Sequence, residues 1–176
     1  MPRMSPDVLR TFLQQPHIGV LATLRADGRP YTVPVWWLHD TDPAGPDVPT
    51  SHRDPMPGAF WLTGTTSRVW CRQLLRDSRA SLCIEAGDPA RHVEIDGDCV
   101  PHLAEDFDIW PISRRLAEKY VGRGDPARAA EVDAFMANMR TEPRLLFRLD
   151  PRVWRAIDLT VYRGKRADRE HQARAR

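Results

Sequence analysis

Cysteine is scarce in this chain. Three are present among 176 residues, Cys71, Cys83 and Cys99, an odd number without CxxC spacing. That speaks against a disulfide framework or a zinc site and fits a reducing compartment, so a cytoplasmic location is expected. Long apolar runs are also missing. No N-terminal segment resembles a signal peptide and no stretch approaches the length of a membrane span, so no membrane partner is expected. Charge of one sign is lacking too: 26 basic and 24 acidic residues leave +2, too balanced for nucleic acid to be the main partner. Lysine is nearly absent, with Lys119 and Lys165 set against arginine everywhere else; this reads as high-GC coding bias and carries no mechanism.

Catalytic signatures are missing as well. The chain contains no GxGxxG, Walker loop, HExxH or GxSxG, and none of its six histidines stands in a triad context. It announces neither a nucleophile nor an acid–base pair. A cofactor that carries its own chemistry would account for this, because the protein then supplies only binding and orientation.

What is present centres on residues 63–85, TGTTSRVWCRQLLRDSRASLCIE. An apolar strand (59–63) runs into a hydroxyl cluster, a short helix and a second strand (80–85). Arg68, Arg72 and Arg76 recur at i, i+4 and i+8 and stripe one helical face, with Trp70, Cys71, Leu74 and Leu75 opposite. Thr65, Thr66 and Ser67 are all possible N-caps, yet no carboxylate follows to complete a capping box. Arginine in a first turn opposes the helix dipole, which favours anions there. A bound phosphate would resolve the conflict, since hydroxyls, free N–H groups and arginines would all point at it. A solvated helix with an arginine face explains the same pattern.

Other signals place elements along the chain. Ser5-Pro6-Asp7 starts a helix that ends at Pro16. Strands over 17–24 and 29–38 flank an Asp27-Gly28 turn. Pro34 cannot donate to a ladder, so it marks an edge or a bulge, and a bulge would free the backbone near 35–37 for a ligand. Residues 39–58, rich in Pro, Asp and Gly, read as a long loop insertion. Strand 91–100 alternates His92, Glu94, Asp96 and Asp98 with Val93, Ile95 and Cys99; alternate positions lie about 7 Å apart and nothing nearby completes a metal set, so a solvated face is expected. Helices follow over 105–121 and from Asp125-Pro126. Strands over 144–149 and 153–160 are expected to turn at Asp150-Pro151-Arg152. The tail from Arg163 carries six basic residues against two acidic ones, lacks apolar periodicity and is expected to be disordered. Six or seven strands without βαβ alternation imply a mainly β (α+β) fold: one antiparallel barrel domain over 1–162 with flanking helices.

Four blocks carry a resemblance: HIGVLATLRADGRPYTVPVWW (17–37), WLTGTTSRVWCRQLLRDSRASLCIE (61–85), HVEIDGDCV (92–100) and LLFRLDPRVWRAIDL (145–159). Together, and in this order, they resemble the pyridoxamine 5'-phosphate oxidase-like split β-barrel flavoproteins of the FMN-binding type. The second strand is closest to the flavin/deazaflavin oxidoreductase branch. The resemblance implies a homodimer with cofactor sites at its interface. The cofactor is FMN or F420, and hydride passes to or from a small organic substrate. It places the cofactor ring along Val35, Trp36 and Trp37. It places the phosphate at Thr63, Thr65, Thr66, Ser67, Arg68, Arg72 and Gln73. Trp36, Trp37 and Trp61 become candidate pocket walls or, equally, strand core. Two positions depart from relatives. Val33 stands where pyridoxamine phosphate oxidases have an arginine, so that substrate is not implied. Trp70 stands where many relatives have a lysine. The absence of an acid–base constellation keeps a second expectation open, a non-catalytic FMN or F420 carrier.

Overall fold

A computed structural model describes residues 2–41 and 58–162. Most of the 39–58 stretch and the 163–176 tail lie outside the described residues, although His39 and Asp40 still belong to a strand. Seven antiparallel strands form one sheet: β1 (Gly19–Leu24), β2 (Pro30–Val35), β3 (Trp37–Asp40), β4 (Ala59–Thr65), β5 (Arg79–Ala86), β6 (Arg91–Leu103) and β7 (Arg144–Asp158). Four helices flank it: α1 (Pro6–Gln14), α2 (Val69–Arg76), α3 (Trp110–Ala117) and α4 (Ala129–Met139).

The strand order is β2-β1-β5-β6-β7-β4-β3. β2 and β3 are therefore the two extreme edges, yet a single residue, Trp36, joins them. Only a sheet curled until its edges meet can satisfy both facts, which makes this a split β-barrel in an α+β fold. The expected strand 29–38 is thus two strands. The apolar run is continuous in sequence, but the chain leaves one edge at Val35 and enters the other at Trp37.

Pro34 sits in the regular β1–β2 register opposite Val20. The edge, not a bulge, tolerates its missing N–H. Local signals do set several termini. Ser5 accepts from the Val8 N–H at the start of α1, Gly28 takes φ +80° in the hairpin turn, and Asp125 accepts from the Ala127 N–H before a short 3-10 turn leads into α4. The helix expected over 105–121 is shorter, with α3 passing into a π-helical turn, Glu118–Gly122. No turn breaks β7 at 150–152. The strand runs on through Pro151, opposite Gly97, where the register shifts. A Cβ on Gly97 would stand 2.1 Å from the Asp150 carbonyl oxygen, so glycine lets the two backbones approach.

Inward residues of all strands fill the barrel, among them Leu21, Leu82, Ile84, Val93, Ile95, Leu62 and Phe147, each 1 % exposed or less. Burying such side chains is the main stabilising term, roughly 1.5–3 kcal/mol for each large one. The polar face of β6 is paired across strands: Ser81 donates to Asp96 at 2.6 Å, Ser78 to Asp98 at 3.0 Å, and Arg155 meets Glu94 at 3.4 Å. Among the described residues no helix is long and apolar enough to cross a membrane.

Candidate functional site

The hydroxyl cluster sits where β4 hands over to α2. In β4, Phe60, Leu62 and Gly64 point into the barrel, so Trp61, Thr63 and Thr65 share the opposite face. Pairing with β7 sets Arg144 directly opposite Thr65, and Leu146 opposite Thr63. The next strand extends this row, with His102 opposite Leu146.

α2 lies close against β4 because Gly64 has no side chain. A Cβ there would meet the Cys71 sulfur at 2.3 Å and the Trp70 ring at 2.7 Å. Trp70 is 4 % exposed and its ring centroid lies 5.5 Å from that of Phe147. The residue that the resemblance sets against a lysine is thus part of the core.

None of the expected N-caps serves α2. Arg68 takes the cap position in extended conformation, no side chain caps the helix, and the Thr65 and Ser67 hydroxyls bond each other at 2.8 Å. The helix start therefore keeps its positive dipole end without a side-chain acceptor. Burial pushes the Cys71 thiol up to about 12, while Arg68, Arg144 and Arg72 each pull it down. Three guanidiniums thus act on one sulfur in the first turn of α2.

Their commitments differ. Arg68 is exposed; its N–H donates to the Thr65 carbonyl at 3.0 Å, and its guanidinium makes no hydrogen bond or ion pair among the described residues. Arg72 turns back to the Ser67 carbonyl. Arg76 reaches the Leu24 carbonyl at the end of β1 and so belongs to the scaffold. Arg144 pairs with Glu142 at 2.9 Å through one terminal nitrogen, but its Nε is buried without a partner. Thr63 Oγ1 and His102 Nε2 are likewise buried and unbonded. Burial, and then Arg148, pull the His102 imidazole below its ordinary value, and its ring packs on Trp61 and Phe107 at centroid distances of 5.2 and 4.7 Å.

The structure therefore brings together Thr63, Thr65, Ser67, Arg68 and Arg72, with Thr66 exposed in the same loop. It sends Gln73 elsewhere: the side chain faces β1, where Thr23 donates to its Oε1 at 2.6 Å inside the protein. Val35, Trp36 and Trp37 form a separate corner. Val35 and Trp37 are buried, and the Trp37 ring faces the interior with Leu62 and Phe60. The Tyr120 hydroxyl accepts from the Trp37 N–H at 3.1 Å and shares its proton between the carbonyls of His17, at 2.9 Å, and Trp37, at 3.2 Å. Trp37 Nε1 donates to the same His17 carbonyl at 2.7 Å. Trp36 stacks on the Tyr120 ring at 4.8 Å between centroids. Arg144 and His102 escape a reading of the sequence because only the β4–β7–β6 register brings them beside Thr63 and Thr65.

Chemically, hydroxyls and guanidiniums around an uncapped helix start suit a phosphate-sized anion. Among the described residues no cluster of His, Cys, Asp and Glu is arranged to hold a metal. No curated protein matches the chain. Solved structures do. A conserved hypothetical protein of Mycobacterium tuberculosis is 23 % identical with a TM-score of 0.59, covering 88 % of this chain and 85 % of its own. A structure described as an F420 reductase is 21 % identical with a TM-score of 0.52 and coverages of 82 % and 94 %. HutZ, a heme storage protein of Vibrio cholerae, is 15 % identical with a TM-score of 0.55 and coverages of 86 % and 93 %. At these identities the likeness is one of fold. The sequence profile described as pyridoxamine 5'-phosphate oxidase, however, matches residues 5–158, nearly the whole described chain, and the protein belongs to that family of split β-barrels.

Proposed function

We propose that this chain is an oxidoreductase that binds FMN or F420 and uses it on a small organic substrate. One observation carries the reading: Thr63 Oγ1 and Arg144 Nε are buried and unbonded on the strand face that also carries Thr65, whose hydroxyl bonds Ser67 just before the uncapped start of α2. A buried polar atom without a partner costs about 1–3 kcal/mol, which an incoming phosphate oxygen offsets. The donor set fits a phosphate and not a bare metal.

In this reading Arg68, Arg72 and Arg144 hold the phosphate, with Thr63, Thr65, Thr66 and Ser67 supplying hydroxyl contacts. The bound cofactor supplies hydride transfer at its ring. Trp61, on the same sheet face as Thr63 and stacked near Phe107, offers an apolar wall and excludes water from that side. Val35 and Trp36 are left as the chain's contribution to the ring from the barrel corner. Val33, half-buried against the core, replaces the arginine that pyridoxamine phosphate would need, so that substrate is not proposed.

The family resemblance implies a homodimer. Val20, Val100 and Val153, 38–48 % exposed on strands of the sheet, offer apolar surface for a second copy. Free Cys71, Cys83 and Cys99 fit a cytoplasmic location. The test is the absorption spectrum of the freshly purified protein, followed by titration of the apo-protein with each cofactor. A dissociation constant below about 100 μM for FMN or F420, and turnover against enones or quinones, are expected. Binding without turnover across such a panel would make the protein a carrier, and no binding of either cofactor would end the proposal.

A further inference from the structure

Away from α2, the fold buries a second basic group whose surroundings the cofactor reading does not use. Lys119 sits in the π-helical turn after α3, a geometry found often at functional positions. Its Nζ donates to the Leu13 carbonyl at 2.9 Å and stands 3.2 Å from the centroid of the Trp37 ring. Both contacts are with neutral groups. Among the described residues no carboxylate pairs with it, and burial alone pulls the amine down to about 7.

The charged and titratable neighbours are accounted for element by element. His17, before β1, is lowered by burial and then by Lys119 itself. On α1, Arg10 pairs with Asp7 at 2.7 Å. On α3, Arg115 pairs with Asp40 of β3 at 2.6 Å. His39 of β3 has its ring among Phe60 and Trp154, and the Tyr120 hydroxyl is spent on the backbone of residues 17 and 37. The two nearby aspartates therefore already serve arginines. Beside Lys119 lies a cavity of about 420 Å³, lined also by Arg10, Gln14, Leu38 and Arg115, with no carboxylate among its lining residues.

We propose that this cavity binds a small organic or inorganic oxyanion, a carboxylate or a phosphate, whose charge is met by the Lys119 ammonium, with Arg10, Arg115 and Gln14 around it. A partly buried ammonium stacked on an indole gains little from water. An anion placed against it in a low-dielectric wall interacts strongly, because screening there is weak. Binding restores the protonated amine, so the complex takes up a proton near neutral pH. The site is independent of the α2 arginines, which lie on other elements.

The experiment is calorimetric titration of the full chain carrying Arg68→Glu/Arg72→Glu, which removes the anion site proposed at α2, at low ionic strength with succinate and, separately, with inorganic phosphate. One site per chain is expected, with a dissociation constant below about 1 mM for at least one probe. The two arms distinguish a carboxylate from a phosphate ligand. For a carboxylate site, succinate binding should weaken roughly 20-fold between pH 6.5 and 8.5, as the amine loses its proton around pH 7. Lys119→Met should abolish binding. Lys119→Arg should keep it and lose the pH dependence, which decides the matter if the methionine variant does not fold. Failure of both probes to bind below about 10 mM, unchanged binding in Lys119→Met, or an unchanged pH profile in Lys119→Arg would each overturn the proposal.

Discussion

The two corners expected to hold one cofactor treat their polar groups in opposite ways. At the tryptophan corner, the Trp37 N–H, carbonyl and indole N–H and the His17 carbonyl are all joined through or beside the Tyr120 hydroxyl. At the start of α2, Thr63 Oγ1 and Arg144 Nε are buried and bonded to nothing, and Arg68 is free. At the first corner the Trp37 and His17 groups are spent on a structural joint where the barrel edges meet, which leaves Val35 and Trp36 for a ligand. The second holds polar groups without protein partners, which is what the proposed phosphate would meet. Sequence proximity to a family motif does not separate these cases; counting partners does.

The largest expected effect comes from making the floor of the α2 corner polar. Trp70→Lys restores the residue many relatives carry but removes an indole packed on Phe147 and buries an unpaired charge. Deleting such a ring alone costs about 3–5 kcal/mol, so denaturant unfolding should show a loss of at least that size. A stable Trp70→Lys protein that binds cofactor more tightly would show that the position faces the ligand after all.

The tryptophan corner is tested by Tyr120→Phe. The ring keeps its stack on Trp36 and only the hydroxyl is lost, leaving the buried Trp37 N–H unsatisfied. A loss of about 1–3 kcal/mol is expected, with cofactor affinity within about twofold of wild type. A large loss of affinity with little loss of stability would put the Tyr120 hydroxyl into the cofactor site.

A third effect concerns pH. The Lys119 amine is lowered from 10.5 to about 7 in the folded protein. Between these values the unfolded chain binds the extra proton, so stability rises with pH from about 7 toward 10 and is flat beyond. Lys119→Met should flatten this rise in thermal melts across that range. A melt profile identical to wild type would mean that the amine is solvated in the folded state.

The parts of the fold written in local chemistry were legible. The Ser5-Pro6-Asp7 start of α1, the Asp27-Gly28 hairpin, the alternation of β6 and the arginine stripe of α2 each depend on neighbours a few residues away. The parts that depend on distant strands were not. The run from Arg29 to Leu38 reads as one strand, because nothing in it reveals that Trp36 bridges two edges of a curled sheet. Pro151 reads as a turn, because its tolerance depends on Gly97 across the ladder. The hydroxyl and arginine side of the candidate site was visible, while Arg144 and His102 enter only through register. Gln73 fell within the motif yet points inward to Thr23, since helical phase at the end of a short helix is hard to fix from eight residues.

The central claim is that the start of α2 holds the phosphate of a flavin or deazaflavin cofactor. It is tested most directly by titrating Arg68→Glu/Arg72→Glu and wild-type protein, side by side, with FMN and with F420. Both arginines are exposed, so thermal stability should stay within a few degrees, while affinity for the bound cofactor should fall at least about 100-fold, or roughly 2.7 kcal/mol. Equal affinity in the two proteins would contradict the account.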